Sequence, residues 1–247
     1  MMSEERIQFP IGGAQVVCKK SLRDELLKIY SQGDWAYEWV KNQPGVKEFQ
    51  GRRPVLGAKI FGQDCIVKRH YHGGVFAPVT ADRFFGSDRL LNAMKSADYL
   101  LEKNILTPEY QFIAWRKSTL WTRYESCVVW ITPGVDAAKL FFKYKQEKNI
   151  AFIASISKQI GAFVSKMHQA DFDHRDLNLM NFLSIDNKEI AILDLDNCRP
   201  PDKPLADRKK IQNLDRLFRS VRKLGQNHPV KYVDTIILSI QKGYEEG

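Results

Sequence analysis

The sequence predicts an α+β protein with two lobes, a smaller one built on antiparallel strands and a larger one that is mainly helical. Three observations carry this. From Val46 to Tyr71 short apolar runs are divided by Gly51, Gly57 and Gly62, a pattern of antiparallel strands. From Ile150 to Met167 apolar residues recur at Ile150, Ile153, Ile156, Ile160, Phe163, Val164 and Met167, which is a helical period. Thr132-Pro133-Gly134 punctuates the change between the two regimes. The expected division is a helical N-terminal extension over 1–46, a sheet lobe over 47–132 and a helical lobe over 133–247, with a linker near 131–136 and a nucleotide-sized cleft between the lobes.

Residues 21–43 read as one or two short helices, with Ser21 as a cap and Leu22, Leu26, Ile29 and Tyr30 on one face. Pro44-Gly45 ends them. In "DWAYEWV" the alternation of Trp35, Tyr37 and Trp39 reads as buried packing, with an interfacial patch as the alternative. "GQD" is a turn before the strand "CIVKRHY". Residues 87–103 form a helix capped by Ser87, with Leu90, Leu91, Met94, Ala97 and Leu101 on one stripe. Strands "YQFIAWRK", "TLWTRYE" and "SCVVWIT" follow. Beyond the long helix, "FLSI" and "EIAIL" flank an Asp186-Asn187 turn. Helices over 205–224 and 229–243 close the chain, separated by Gly225.

Composition narrows the function classes. The chain has 247 residues and a formal net charge of +9, which favours anionic partners without choosing among them. Cys18, Cys65, Cys127 and Cys198 form no CxxC pair, so reduced, partly buried thiols are expected in place of a zinc site or disulfides. No apolar run approaches the ~20 residues of a membrane span. "MMSEERIQFP" has neither the basic flank nor the apolar core of a secretory signal, so a cytoplasmic location is expected.

The chemistry concentrates in "DFDHRDLNLMNFLSIDNKEIAILDLDNC", Asp171 to Cys198. "HRDLNLMN" fits H-R-D-L-x-x-x-N, with Asp176 and Asn181 five positions apart. Asp194 follows the second strand of the next hairpin, and a hairpin returns the chain to its start, so Asp194 is expected beside Asn181. This set suits phosphoryl transfer. Divalent cations bridging the phosphate oxygens need hard oxygen ligands, here Asn181 and Asp194. The acceptor hydroxyl needs a carboxylate to orient it and take its proton, here Asp176. As isolated turn residues these groups would carry no such meaning; it is the full set, with a hairpin between its members, that does.

On these residues the chain resembles the protein-kinase-like superfamily and, more narrowly, the lipopolysaccharide kinases of inner-core sugars, above all 3-deoxy-D-manno-octulosonic acid (Kdo) kinase. The matching pieces run in order over about residues 50–223: "GRRPVLG", "IVKRHYHGGVF", "ADRFFGSDR", "ILTPEY", "HRDLNLMNFL", "ILDLDNCR" and "NLDRLFRSVRK". The catalytic motifs specify only the superfamily, while "KRHYHGG" and "NLDRLFRSVRK" carry the narrower assignment. The resemblance implies a bilobal protein-kinase-like fold, with an antiparallel-sheet N-lobe and a mainly helical C-lobe. It implies Asp176 as catalytic base, His174 and Arg175 as organisers of its loop, and Asn181 and Asp194 as Mg²⁺ ligands. It implies ATP as donor, with Lys68 or Arg69 on the nucleotide phosphates. The two are adjacent and point to opposite faces of a strand, so only one can enter the cleft. Val129 and Ile131 are the further candidate nucleotide contacts, and "HGGVF" is a candidate loop near the phosphates. The chain departs from the pattern in five places: no glutamate stands near Asn92 and Ala93 in the helix, "DLDN" replaces D-F-G, Asn178 takes the place of the lysine in H-R-D-L-K, the N-terminal loop is poor in glycine, and "HYHGG" is one residue shorter than the family's H-Y-R-R-G-G.

The implied acceptor is a hydroxyl of Kdo, or of heptose, on lipid A. A kinase acting on another small molecule or a protein, and a nucleotide-binding pseudokinase, are the alternatives. Arg216, Arg219 and Lys223, with Arg208 to Lys210, form a basic helix face beside Ile211, Leu214, Leu217 and Val221. Such a face is a solvated surface or a contact with an anionic glycolipid and the cytoplasmic face of the inner membrane. No nucleic-acid partner is expected.

Overall fold

The structure is a computed structural model describing residues 4–31, 35–49, 55–71, 82–131, 134–143 and 150–247. The chain divides into two compact units, residues 1–94 with 108–130 and residues 95–107 with 131–247.

The first unit is an antiparallel sheet of β1 (Arg6–Ile11), β2 (Ala14–Lys19), β3 (Lys47–Phe49), β4 (Val55–Ile60), β5 (Gln63–Arg69), β6 (Tyr110–Lys117) and β7 (Thr122–Val129). Its spatial order is β1-β2-β6-β7-β5-β4-β3. Helices α1 (Arg23–Ser31) and α2 (Ala36–Lys41) cover one face. Leu26, Ile29, Tyr30, Ala36 and Val40 pack there with Val16, Leu56, Cys65, Val67, Phe112 and Cys127 in one buried cluster. Trp35 is buried, and Tyr37 and Trp39 pack partly buried against the same cluster.

Two readings of this unit need correction. Residues 1–46 are not a purely helical extension, because β1 and β2 form a hairpin that pairs with β6. Pro10 obscures this strand in the sequence. It is tolerated because β1 is the sheet edge, where a missing N–H costs no ladder bond. "TLWTRYE" and "SCVVWIT" are not two strands but parts of the single strand β7. The polar residues between them, Glu125 and Ser126, lie fully buried inside the sheet.

In the second unit α5 (Ile150–Gln169) and α7 (Val230–Glu246) form the helical core with α6 (Asp207–Leu224). Ile153, Ile156, Ile160, Val164, Leu217, Val221, Ile236 and Ile240 are buried, whereas Ile150, at the helix start, is exposed. Gly161 and Gly243 set how closely α5 and α7 approach: a Cβ on Gly161 would strike the Ile240 carbonyl, and one on Gly243 the Lys158 carbonyl. A second sheet joins β8 (Gly134–Asp136), β9 (Phe182–Ile185) and β10 (Glu189–Ile192) in the order β10-β9-β8. Residues 134–136, read as linker, are therefore a strand paired with β9. Asp136 also caps α4 (Ala137–Phe142) by accepting from the Lys139 amide at 3.1 Å. Asp186 and Asn187, with φ of 48° and 58°, make the turn between β9 and β10. The helix α3 (Asp88–Glu102) is the remaining α-helix among the described residues, and 3-10 turns lie at Lys20–Leu22 and Leu179–Asn181. All four cysteines are free and buried, more so than their spacing suggested. Among the described residues no helix is long and apolar enough to cross a membrane.

Candidate active site

The loop that carries the carboxylates starts at the end of α5. The Asp171 amide donates to the His168 carbonyl at 3.0 Å and the Phe172 amide to the Met167 carbonyl at 3.1 Å, a Schellman stop with Asp171 at φ 55°. Aspartate tolerates this left-handed backbone better than most residues. Its Oδ1 also accepts from the Leu205 amide at 2.9 Å, which ties the loop to the segment leading into α6.

The next residues are fixed by the main chain. His174 is fully buried, and its Nε2 lies 3.1 Å from the Leu193 carbonyl oxygen. A carbonyl can only accept, so Nε2 carries the proton. Burial pushes the His174 pKa below its usual value, against the opposing pull of the Leu193 bond and of Asp194. The imidazole is thus a neutral strut between the loop and the residue preceding Asp194. The Leu193 amide in turn donates to the Asn181 carbonyl at 2.7 Å. One residue, Leu193, is held by both ends of the loop, and Asp194 follows it with φ 57°. Upstream, the Ile192 amide bonds the Leu106 carbonyl at 3.0 Å and the Ile192 carbonyl accepts from Thr107 Oγ1 at 2.8 Å.

Asn181 and Asp176 are linked directly. Asn181 Nδ2 donates to the Asp176 carbonyl at 2.9 Å, and Asn178 Nδ2 does so at 3.1 Å. With its nitrogen engaged, the buried Asn181 side chain has its Oδ1 left as a ligand atom. The Asp176 and Asp194 carboxylates are exposed, as is Arg175. Arg175 Nε stands 3.9 Å from Asp173 Oδ2, and Lys209 Nζ 3.8 Å from the same oxygen. The structure thus brings Asp176, Asn181, Asp194 and His174 into one loop cluster and keeps Arg175 at its margin. Among the described residues no group of three or more His, Cys, Asp or Glu is arranged around a metal. The candidate donors are instead one carboxylate, Asp194, and one amide oxygen, Asn181 Oδ1. That fits a hard cation such as Mg²⁺, which keeps water in its other positions.

Two positioning residues escaped the sequence reading. Asn178 Oδ1 accepts from the Met180 amide at 3.0 Å, an Asx turn that the local Asn-x-x pattern allows. Ser220 on α6 accepts from the Leu179 amide at 2.9 Å. Nothing local signals a contact across 41 positions.

In the first unit Lys68 and Arg69 separate cleanly. Arg69 pairs across the sheet with Glu125 and Lys68 with Ser126, so the two side chains lie on opposite faces. Arg69 stands on the face covered by α2. Its guanidinium is 3.2 Å from Glu38 and lies over the rings of Trp35 and Tyr37 at 5.4 and 5.6 Å. The buried Glu125 beside it accepts from the Tyr30 hydroxyl and from the amides of Ala36 and Tyr37 at 2.9 and 3.0 Å. Val129 pairs with Cys65 on the Arg69 side, and its amide donates to the Glu109 carbonyl at 2.8 Å. Ile131 is half-buried at the end of a described stretch. "HGGVF", at 72–76, lies outside the described residues.

Residues 37–236 match the profile of the Lipopolysaccharide kinase (Kdo/WaaP) family. The chain is 30% identical over 205 residues to the 3-deoxy-D-manno-octulosonic acid kinase of Vibrio parahaemolyticus serotype O3:K6 (strain RIMD 2210633), covering 81% of this chain and 82% of that one. It is 28% identical over 186 residues to the enzyme of the same name from Vibrio vulnificus (strain YJ016), covering 75% and 70%. Among solved structures, WaaP in complex with acyl carrier protein superposes with a TM-score of 0.59 at 18% identity, over 94% of this chain and 89% of that one. At that identity the likeness is one of fold, the α+β protein-kinase-like architecture.

Proposed function

The chain belongs to the lipopolysaccharide kinase (Kdo/WaaP) family and is a phosphotransferase acting on an alcohol group, and from that premise we propose that it moves the γ-phosphoryl of ATP to a hydroxyl of Kdo on lipid A. The observation that supports the reading most is the double anchoring of Leu193, by His174 and by Asn181, which draws Asp194 to the loop of Asp176. Asp176 orients the sugar hydroxyl and takes its proton as the oxygen attacks phosphorus and the bond to the ADP oxygen breaks. Asn181 Oδ1 and the Asp194 carboxylate would hold Mg²⁺. Bound there, the cation supplies charge neutralisation for the phosphate oxygens. His174 moves no proton; it sets the position of Leu193 and hence of Asp194. Lys68, and not Arg69, meets the nucleotide phosphates, because Arg69 lies on the face of β5 that α2 covers and Lys68 on the other. The Kdo carboxylate and the lipid A phosphates suit a chain of net charge +9, in peripheral contact with the cytoplasmic face of the inner membrane.

The test is incubation with γ-labelled ATP, Mg²⁺ and detergent-dispersed Kdo-lipid A. Label in the lipid, lost when Mg²⁺ is chelated, is the expected result. ATP binding without transfer to Kdo or heptose acceptors would make the chain a pseudokinase or a kinase of another substrate.

A further inference from the structure

The second unit holds a line of polar side chains that the phosphoryl transfer described above does not use. It starts at Tyr244 on α7, whose hydroxyl lies 2.9 Å from His168 Nδ1. It crosses the imidazole to Nε2, which accepts from Asn213 Nδ2 at 3.3 Å. It ends where Asn213 Oδ1 accepts from the Arg216 guanidinium at 3.1 Å. His168 and Asn213 are buried, whereas Arg216 is half-buried and reaches the surface. Burial brings the His168 pKa from 6.5 to about 4, so near pH 7 Nε2 stays an acceptor. The Asn213 nitrogen is therefore turned to the ring, and its oxygen is left to Arg216. Burying polar groups is costly unless they are satisfied; this chain is satisfied, and its outcome is one guanidinium held in place.

That guanidinium lies along the loop of Asp176. Three contacts run between α6 with its lead-in and the loop, in the same direction along both. The Leu205 amide bonds Asp171 Oδ1 at 2.9 Å, Lys209 Nζ stands 3.8 Å from Asp173 Oδ2, and Ser220 accepts from the Leu179 amide at 2.9 Å. Arg216 and Ser220 follow Lys209 by seven and eleven positions, about two and three helical turns, so the three share one face of α6. Arg216 stands between the contacts at Asp173 and Leu179, and Asp176 stands between the same two contacts on the loop. A guanidinium has five N–H donors, and among the described residues the neutral Asn213 oxygen is the one polar partner of Arg216. Its charge is left for a group from outside the chain.

We infer that Arg216 is the specificity-determining residue for the acceptor, taking the carboxylate of the acid sugar through paired N–H···O bonds and so presenting its hydroxyl to Asp176. A planar, fork-shaped cation matches a carboxylate better than a point charge does, and one held by a buried amide has its orientation set before the sugar arrives. The inference deepens, and rests on, the reading of a Kdo-bearing acceptor.

The test is steady-state transfer from γ-labelled ATP to three forms of Kdo-lipid A: native, with the Kdo carboxyl methylated, and with the lipid A phosphates removed. Arg216→Gln should raise the KM for the native acceptor by about tenfold or more, with the KM for ATP unchanged. Methylation should cost the parent as much, and Arg216→Gln should add little to it. On the dephosphorylated acceptor the Arg216→Gln loss should persist. Arg216→Lys should recover part of it, since lysine keeps the charge without the fork. Arg222→Gln, exposed elsewhere on α6, should match the parent. Thermal unfolding checks that each variant is folded at the assay temperature. The inference is overturned if Arg216→Gln raises the KM for ATP instead, or if its loss disappears on the dephosphorylated acceptor and not on the methylated one. Equilibrium binding of native acceptor separates the two readings. Transfer by the parent at an acceptor KM that Arg216→Gln leaves unchanged sinks this inference alone. Acceptor bound by the parent, lost in Arg216→Gln and never phosphorylated sinks the kinase reading alone, and a parent that neither binds nor transfers removes both.

Discussion

Glu125 in the first unit and the pair Asp176 and Asp194 in the second show two opposite uses of a carboxylate. Glu125 is fully buried, and its oxygens are filled by Tyr30 and by two amides at the start of α2. Burial holds its pKa above the ordinary 4.5 in spite of those donors. Asp176 and Asp194 are exposed, and it is their backbones that are tied: the Asp176 carbonyl by two asparagines, Asp194 through Leu193. A carboxylate whose side chain is saturated with donors holds structure together. One whose main chain is fixed and whose side chain faces water is available for chemistry, with its position already set.

The largest expected effect breaks this comparison if it is wrong. Asp176→Ala should lower kcat on the sugar acceptor by about 10²–10⁴-fold. Its melting temperature should stay near that of the parent, since an exposed substitution shifts stability by only about 0.5 kcal/mol. Glu125→Ala should do the reverse. Three donors, two of them in fully buried bonds, lose their acceptor, which costs about 3–5 kcal/mol, while the specific activity of the fraction still folded is kept. Urea unfolding together with kcat measured on both variants decides this. A destabilised Asp176→Ala or an inactive but stable Glu125→Ala would refute the division of roles.

Two buried histidines sharpen the same contrast through pH. His174 links the loop of Asp176 to Leu193, whereas His168 belongs to the helical core. Asn213 Nδ2 donates to His168 Nε2 at 3.3 Å, so the ring proton is on Nδ1, which lies 2.9 Å from the Tyr244 hydroxyl. Protonating Nε2 would set N–H against N–H. Burial, aided by Lys210, brings the His168 pKa from 6.5 to about 4. Because the folded value is the lower one, the unfolded chain binds the extra proton first. The contribution is therefore complete above pH 6.5 and falls away as the pH drops toward 4, by about 3 kcal/mol in all. Glu125 works in the opposite sense, since its raised folded pKa makes stability fall as pH rises past 4.5. Asn213→Asp supplies an acceptor for a protonated Nε2, so the acid loss assigned to His168 should shrink or invert. Melting curves from pH 7 to pH 4 on parent and variant check it; an unchanged slope would remove His168 as the cause.

How far the sequence disclosed all this depended on the range of each interaction. The long amphipathic helix, the Asp186-Asn187 hairpin and the spacing of Asp176, Asn181 and Asp194 are local, and periodicity and turn chemistry made them readable. The hairpin also implied that Asp194 returns to Asn181, because antiparallel pairing fixes where its second strand ends. What stayed hidden was non-local or masked by a local exception. Ser220 reaches Leu179 across the fold, Pro10 disguised an edge strand, and the polar "RYES" disguised the centre of β7. The register of β5 against β7, with the contacts of Arg69 to α2, shows which face of the strand each of Lys68 and Arg69 lies on, which strand alternation alone had left open.

That last separation yields the smallest expected effect. Arg69 makes a partly exposed ion pair to Glu38 and lies over two rings, and it offsets part of the cost of burying Glu125. Solvent screening discounts the ion pair, so Arg69→Ala should cost about 1–2 kcal/mol of stability, mostly from the ring contacts. The nucleotide affinity of the folded protein should not change. Lys68→Ala, on the opposite face, should raise the KM for ATP. Arg69→Lys adds a finer distinction, since a lysine keeps the charge toward Glu38 but not the flat guanidinium over Trp35 and Tyr37, and should recover only part of the loss. ATP titration and urea unfolding on the three variants give the answer. If Arg69→Ala raises the KM while Lys68→Ala does not, the two faces of β5 have been assigned the wrong way round.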